Sequence, residues 1–259
     1  MNDWLHNLPI GWMALVVFGF TYLVTAGIYA LVTALAKGER ARAFKAISPG
    51  MLPPLGIIFG LFVAFTAAQV WTDNERANTA VDREASALRA IVVLAAAFPG
   101  EPELRLRALI RRHIEQATTQ EWPMMARGTA TLRFTPPLLA EALQSTLALT
   151  PNSEGQKIAQ HEIVTALETA FDARRQRIII SQSQVNLVKW LCLFVQAAAA
   201  IFAIAMIHCD NRIASAITVC LFATGVAASV LLIASHDRPF TGDISVTPAP
   251  LLQVMSADQ

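Results

Sequence analysis

Apolar positions in this chain gather into four long runs. The first extends from Ile10 to Ala36 without a charged residue, and the others run from about Leu55 to Trp71, from Leu187 to Ile207 and from Ile213 to Ser235. An α-helix rises about 1.5 Å per residue, so about 20 apolar residues cross a hydrocarbon core about 30 Å thick. Each run therefore predicts a transmembrane helix. Lys189, at the start of the third, can snorkel to the interface. Trp4, Trp12, Trp71 and Trp190 fall near run ends, where amphipathic rings suit the headgroup layer. Ala34-Leu35-Ala36 resembles a signal-peptidase site. No basic residue precedes the run, however, and it is longer than a signal core, so a retained anchor is expected.

Between the second and third runs the pattern becomes periodic. Neither Pro nor Gly occurs from Leu61 to Phe98 or from Gln156 to Thr224, so both runs are expected to continue as long helical stalks. Ala77, Val81, Ala85, Leu88 and Val92 recur at helical spacing along the first stalk, and Ile163, Leu167, Ala170, Phe171 and Ile178 along the second; such stripes predict core. Pro99, Gly100 and Pro102 break the chain before "ELRLRALIRRHIEQATTQEW", a helix with Leu106, Leu109, Ile110 and Ile114 on one face and an expected end at Pro123. Thr135 with Pro136 and Pro137 predicts another helix start, and Ser153 with Gln156 matches a capping box. No strand alternation or internal repeat is visible. The expected fold is all-α: a polytopic membrane protein with transmembrane helices in residues 1–72 and 187–236, a helical extramembrane domain over 73–186, and a C-terminal turn and tail over 237–259.

Composition agrees with a membrane protein. Of 259 residues 54% are hydrophobic and 15% charged, against about 25% charged in soluble domains, and the mean hydropathy is +0.47. A net charge of +1 leaves no footprint for nucleic acid. Cys192, Cys209 and Cys220 are odd in number and lie in or beside apolar runs, which predicts buried thiols rather than a disulfide framework. In the loop "KGERARAFK", Lys37, Arg40, Arg42 and Lys45 stand against one Glu, which places that loop in the cytoplasm and residues 73–186 outside. Arg174, Arg175, Arg177 and Lys189 flank a span on the other side, so both orientations stay open.

Signatures of enzyme chemistry are missing. His161-Glu162 lacks the second His of a zinc-protease motif, Thr165 standing in its place, and His208-Cys209-Asp210 has no second ligand cluster. No catalytic activity, cofactor or metal is expected. The spans hold no Asp, Glu, Lys or Arg away from their ends, which argues against proton-coupled transport.

The second span has two faces. Gly56, Gly60, Ala64 and Ala67 or Ala68 leave one side nearly bare for a neighbouring helix, whereas Leu55, Ile58, Phe59, Phe62, Phe65, Gln69 and Asp73 occupy the other. One reading is a packing face and a lipid face. The other is that several copies meet around an axis and turn the phenylalanines inward as a dewetting constriction.

Taken in order, "GLFVAFTAAQVW", Glu84-Ala85, Glu121-Trp122-Pro123, Arg174 with Arg177, and Asp237 with Pro239-Phe240 and Gly242 resemble the bestrophin-like family over about residues 48–248. The resemblance implies kinship with pentameric chloride channels whose second span lines the pore, hence a pore role for Phe59, Phe62 and Phe65, and a middle domain in the cytoplasm. Those channels follow their last span with an Asn-Pro-Phe-Gly turn and a calcium-clasping acidic run. Here Arg238 replaces the Asn, Thr241 is inserted, and Asp243 is the one carboxylate beyond the turn, too few for a cation that takes six to eight oxygens. "DRPFTG" is therefore expected to act as a helix stop, with Phe240 folding the tail back. The functional expectation is a homo-oligomeric anion channel in a bacterial inner membrane. Phe59, Phe62 and Phe65 would line it, Gln69 would offer amide donors, and Arg174, Arg175 and Arg177 would attract anions. The alternative is a non-conducting, membrane-anchored helical sensor or scaffold that binds a protein partner.

Overall fold

The computed structural model describes residues 8–39, 43–44, 49–133 and 136–256. Trp4, Arg40, Arg42, Lys45 and Thr135 lie outside the described residues. Among the described residues the secondary structure is helical throughout, without strands. The helices are α1 (Ile10–Leu35), α2 (Leu52–Ala95, after a 3-10 turn at Pro49–Met51), α3 (Glu101–Gln116), α4 (Trp122–Ala126), α5 (Pro137–Leu147), α6 (Glu154–Ser181), α7 (Leu187–Ile207), α8 (Arg212–His236) and α9 (Ala249–Ser256). Four helices, α1, α2, α7 and α8, are long and apolar enough to cross a membrane. The chain divides into two compact units, one of residues 1–71 and 184–237, the other of 72–183 and 238–259.

In the first unit α1 packs against α7 and α8, which pack against each other. Met13, Val17, Phe59, Ala67, Val70, Leu193, Ala197, Val226 and Ile233 share its main core cluster. Because lipid is as apolar as these side chains, van der Waals fit rather than water exclusion holds them together. Trp12 and Trp71 are exposed, but Trp190 is buried and stacks on Phe194 with centroids 5.8 Å apart. The ring packs among the helices in the first turn of α7. The cysteines are free thiols, and Cys192 and Cys220 are exposed rather than buried.

The second unit is a water-type core. Ala77, Val81, Ala85, Leu88 and Val92 are all buried, as are Leu106, Leu109, Ile110, Ile114, Ile163, Leu167, Ala170 and Ile178, with Phe171 packed alongside. Each large aliphatic side chain so buried contributes about 1.5–3 kcal/mol.

α2 is one unbroken helix: Pro53 and Pro54 fall in its first turn, where a missing N–H costs little, and from Leu61 onward it holds neither Pro nor Gly. Two expectations fail. The second stalk and third span are separate helices, because Asn186 caps α7 by accepting from Lys189 N (2.9 Å) and Asp237 Oδ1 takes the preceding Val185 N–H (2.5 Å). Pro123 does not end its helix. A π-turn at Ala117–Glu121 comes first, and Trp122 N donates to Ala117 O five residues back. That wider turn carries Pro123 into α4, a place where its missing N–H costs little. The capping box also closes differently from its usual form: Ser153 Oγ accepts from Gln156 N (3.2 Å), while Gln156 Oε1 accepts from Asn152 N (2.7 Å).

Candidate functional site

Within the first unit, α2 splits its residues by burial rather than by size. Phe59 is 7% exposed and meets Phe222 of α8 with ring centroids 5.7 Å apart. Thr66, Ala67 and Val70 are buried on the same side, and Phe62 and Val63 are packed against the cluster. The opposite side is open. Ile57 is 68% exposed, Leu61 55% and Phe65 69%, and Gly60 and Ala64 between them are exposed too. Among the described residues nothing beyond the helix's own backbone and the chain neighbours lies within 4 Å of where a Cβ would stand on Gly56 or Gly60. Residues four apart stack along one helix row, so Ile57, Leu61 and Phe65 form a ridge that Gln69 continues.

The expectation of a continuous phenylalanine face is thereby corrected. Phe59 is spent on the protein's own core and Phe62 is half-buried, while Phe65 alone of the three is exposed. The bare flank of Gly56, Gly60 and Ala64 adjoins the exposed ridge, and among the described residues no atom fills the place of a Cβ on either glycine. Gln69 is half-buried, and its Oε1 accepts a hydrogen bond from Lys189 Nζ of α7.

In the second unit, the arginines expected to draw anions have a different use. Arg174 and Arg177 stand on the inward face of α6 with Leu167, Ala170 and Ile178, and Arg177 is 0% exposed. Its guanidinium donates to Glu84 Oε2 through Nε (2.8 Å) and to Glu84 Oε1 through Nη2 (3.2 Å). Nη2 also reaches Glu121 Oε2 at 3.0 Å, and Nη1 contacts Met125 Sδ at 3.4 Å. Arg174 donates through Nε (2.8 Å) and Nη2 (2.6 Å) to Glu121 Oε1. His113 Nε2 lies 3.2 Å from Glu84 Oε1, and the Trp122 ring centroid is 4.9 Å from Arg177 Cζ. The π-turn is what brings Glu121 and Trp122 inward together.

Burial alone would push the Glu84 carboxyl up, but the Arg177 guanidinium, followed by His113, outweighs it and holds the group down at about 2. Burial likewise disfavours the Arg177 charge, and Glu84 and then Glu121 raise its pKa above the ordinary arginine value. Arg174 and Arg177 are thus neutralised internally, which corrects their expected role; Arg175 points outward.

The turn after α8 belongs to this second unit from Arg238 onward. Gly242 has φ +87°, Val246 N donates to Pro239 O (2.7 Å), and Thr241 Oγ1 donates to Ala126 O (2.8 Å). Phe240 is buried edge-on against Trp122, centroids 5.6 Å apart, and Trp122 Nε1 donates to Val246 O (3.2 Å). Among the described residues no three metal-ligating side chains gather. The motif is a folded plug under the buried ion cluster, consistent with the helix-stop reading.

A family model described as the Bestrophin-like domain matches residues 19–251. Two crystal structures of a bacterial bestrophin homologue from Klebsiella pneumoniae, each of a mutant, superpose with TM-scores of 0.74 and 0.71 at 11% and 12% identity. They cover 92% of this chain and 98% and 96% of theirs. A third structure, described as a membrane protein, aligns with TM-score 0.71 at 12% identity over 92% of this chain and 96% of its own. No curated protein gives a significant match.

Proposed function

Because this chain belongs to the bestrophin-like family, we propose that it is a homo-oligomeric ion channel, selective for small anions, with α2 lining the pathway. The observation that carries this reading is the exposed ridge of Ile57, Leu61 and Phe65 beside a flank of glycine and alanine. In a ring of copies, the flank of Gly56, Gly60 and Ala64 lets neighbouring helices approach closely, and the ridge turns to the axis as an apolar neck that gates by wetting. Five copies follow from family kinship. Arg175, exposed on α6, keeps the anion-attracting role, and the bilayer is the bacterial inner membrane.

Reconstitution in liposomes tests the proposal. The wild-type chain passes chloride, and Leu61→Thr or Phe65→Ala, which wet or widen the neck, raises the flux several-fold, whereas Phe59→Leu leaves it near the wild-type level. A wild type without flux, or a flux that Leu61→Thr and Phe65→Ala both leave unchanged, contradicts it. In the first case the membrane-anchored scaffold remains.

A further inference from the structure

Where the α2 ridge ends, Gln69 meets Lys189, and the chemistry of that meeting is one-sided. A lysine ammonium carries three donors and no acceptor, so it fixes the glutamine amide with oxygen toward Nζ and the NH2 group away. Among the described residues Gln69 is the partner of the ammonium, and no carboxylate pairs with it. The Nε2 of Gln69 likewise donates to no described residue. Lys189 lies in the first turn of α7, where backbone N–H groups point outward and the helix end is positive. Asn186 caps only one of them. Asp237 is buried and accepts from Val185 N, and Asp73, one turn beyond Gln69 on the same helix row, lies 3.8 Å from the Arg76 guanidinium, which offsets its charge.

We propose that Lys189 and Gln69 form an anion-selecting site at the end of the α2 ridge, resting on the channel reading above and naming its substrate as a monovalent halide. The lock is the point of the arrangement. An unrestrained glutamine presents oxygen to a cation as readily as N–H to an anion; with its oxygen held by Lys189, the side-chain groups left to face an ion are amide and ammonium N–H. A halide then meets donors and one positive charge, and a cation meets neither an acceptor nor an opposite charge.

The test is ion selectivity, read separately from flux. The full-length protein in liposomes under a potassium chloride gradient is expected to give a reversal potential on the chloride side. Lys189→Met removes the charge and frees the amide to turn, and should lower the anion-to-cation permeability ratio about tenfold. Gln69→Glu, which would pair with Lys189 and cancel it, should do the same, while Lys189→Arg should keep the ratio. A wild type selective for cations, or an unchanged ratio in Lys189→Met with flux intact, overturns the site and leaves the channel standing. Broadening of the chloride NMR line by the detergent-solubilised full-length protein supplies a readout without conduction. Broadening that weakens severalfold in Lys189→Met supports halide binding at this pair even if nothing conducts, and in that event the channel reading alone falls. Broadening indifferent to Lys189→Met overturns the site.

Discussion

Replacing Arg177 by Met should destabilise the second unit severely, because it leaves Glu84 ionised, fully buried and without the cation that compensates it. The size follows from the carboxyl itself. A group held at about 2 instead of its ordinary 4.5 gains, at about 1.4 kcal/mol per pH unit, stabilisation on the order of 3 kcal/mol. Truncating one member of a buried ion pair elsewhere costs about 3–5 kcal/mol, most of it the stranded charge. The two routes agree. For a domain of this size the loss corresponds to a fall in Tm on the order of 10 °C, measured on detergent-solubilised protein by thermal unfolding. The double variant Glu84→Leu with Arg177→Met removes both charges and should be clearly more stable than Arg177→Met alone. A Tm within about 2 °C of wild type for Arg177→Met, or a double variant whose loss equals the sum of the two single losses, would refute the reasoning, since either result means that the charges do not compensate each other.

Two further outcomes follow from the same cluster and its plug. Glu84 is depressed in the folded state, so its contribution is present above pH 4.5 and drains away as pH falls toward 2; stability against pH in that window should drop more steeply for wild type than for Glu84→Gln, and equal slopes would contradict the assignment. Phe240→Ala empties the site packed edge-on against Trp122 and should cost about 3–5 kcal/mol, seen as a lower Tm together with a red shift of tryptophan emission as water reaches Trp122.

What could be read from the sequence was whatever has a period or a breaker. The core stripes of α2 and α6 appear as apolar residues at helical spacing because water surrounds the rest of those helices, and α2 runs on from span to stalk because no Pro or Gly follows Gly60 in it. Inside the membrane that contrast vanishes: core, lipid and a dry pore all accept phenylalanine and leucine, so Phe59 and Phe65 look alike in sequence and face opposite ways in the structure. The break at Gln182–Asn186 carries no Gly or Pro, and its signal is the subtler Asn cap in a polar run. Pro123 misleads because a π-turn absorbs it. Arg174 and Arg177 were the misjudged site residues, although a signal existed: they continue the buried row of Leu167 and Ala170 at spacings of three and four. An arginine on a core face calls for a carboxylate, but Glu84 stands 93 positions away, and no local pattern names it.

Cysteine crosslinking along α2 in native membranes, on a background with Cys192, Cys209 and Cys220 replaced by Ala, tests the central claim most directly. Ile57→Cys, Leu61→Cys and Ala64→Cys should each give an oxidation-dependent disulfide dimer of identical subunits, and Leu61→Cys combined with Ala64→Cys, with two thiols per subunit, a ladder ending at a closed ring, while Phe59→Cys and Val70→Cys, buried within the chain, should stay monomeric. If the exposed ridge yields no disulfide dimer, or yields no more than Leu23→Cys on the outward side of α1, then α2 faces lipid rather than a shared axis, and the conduction pathway assigned to it does not exist.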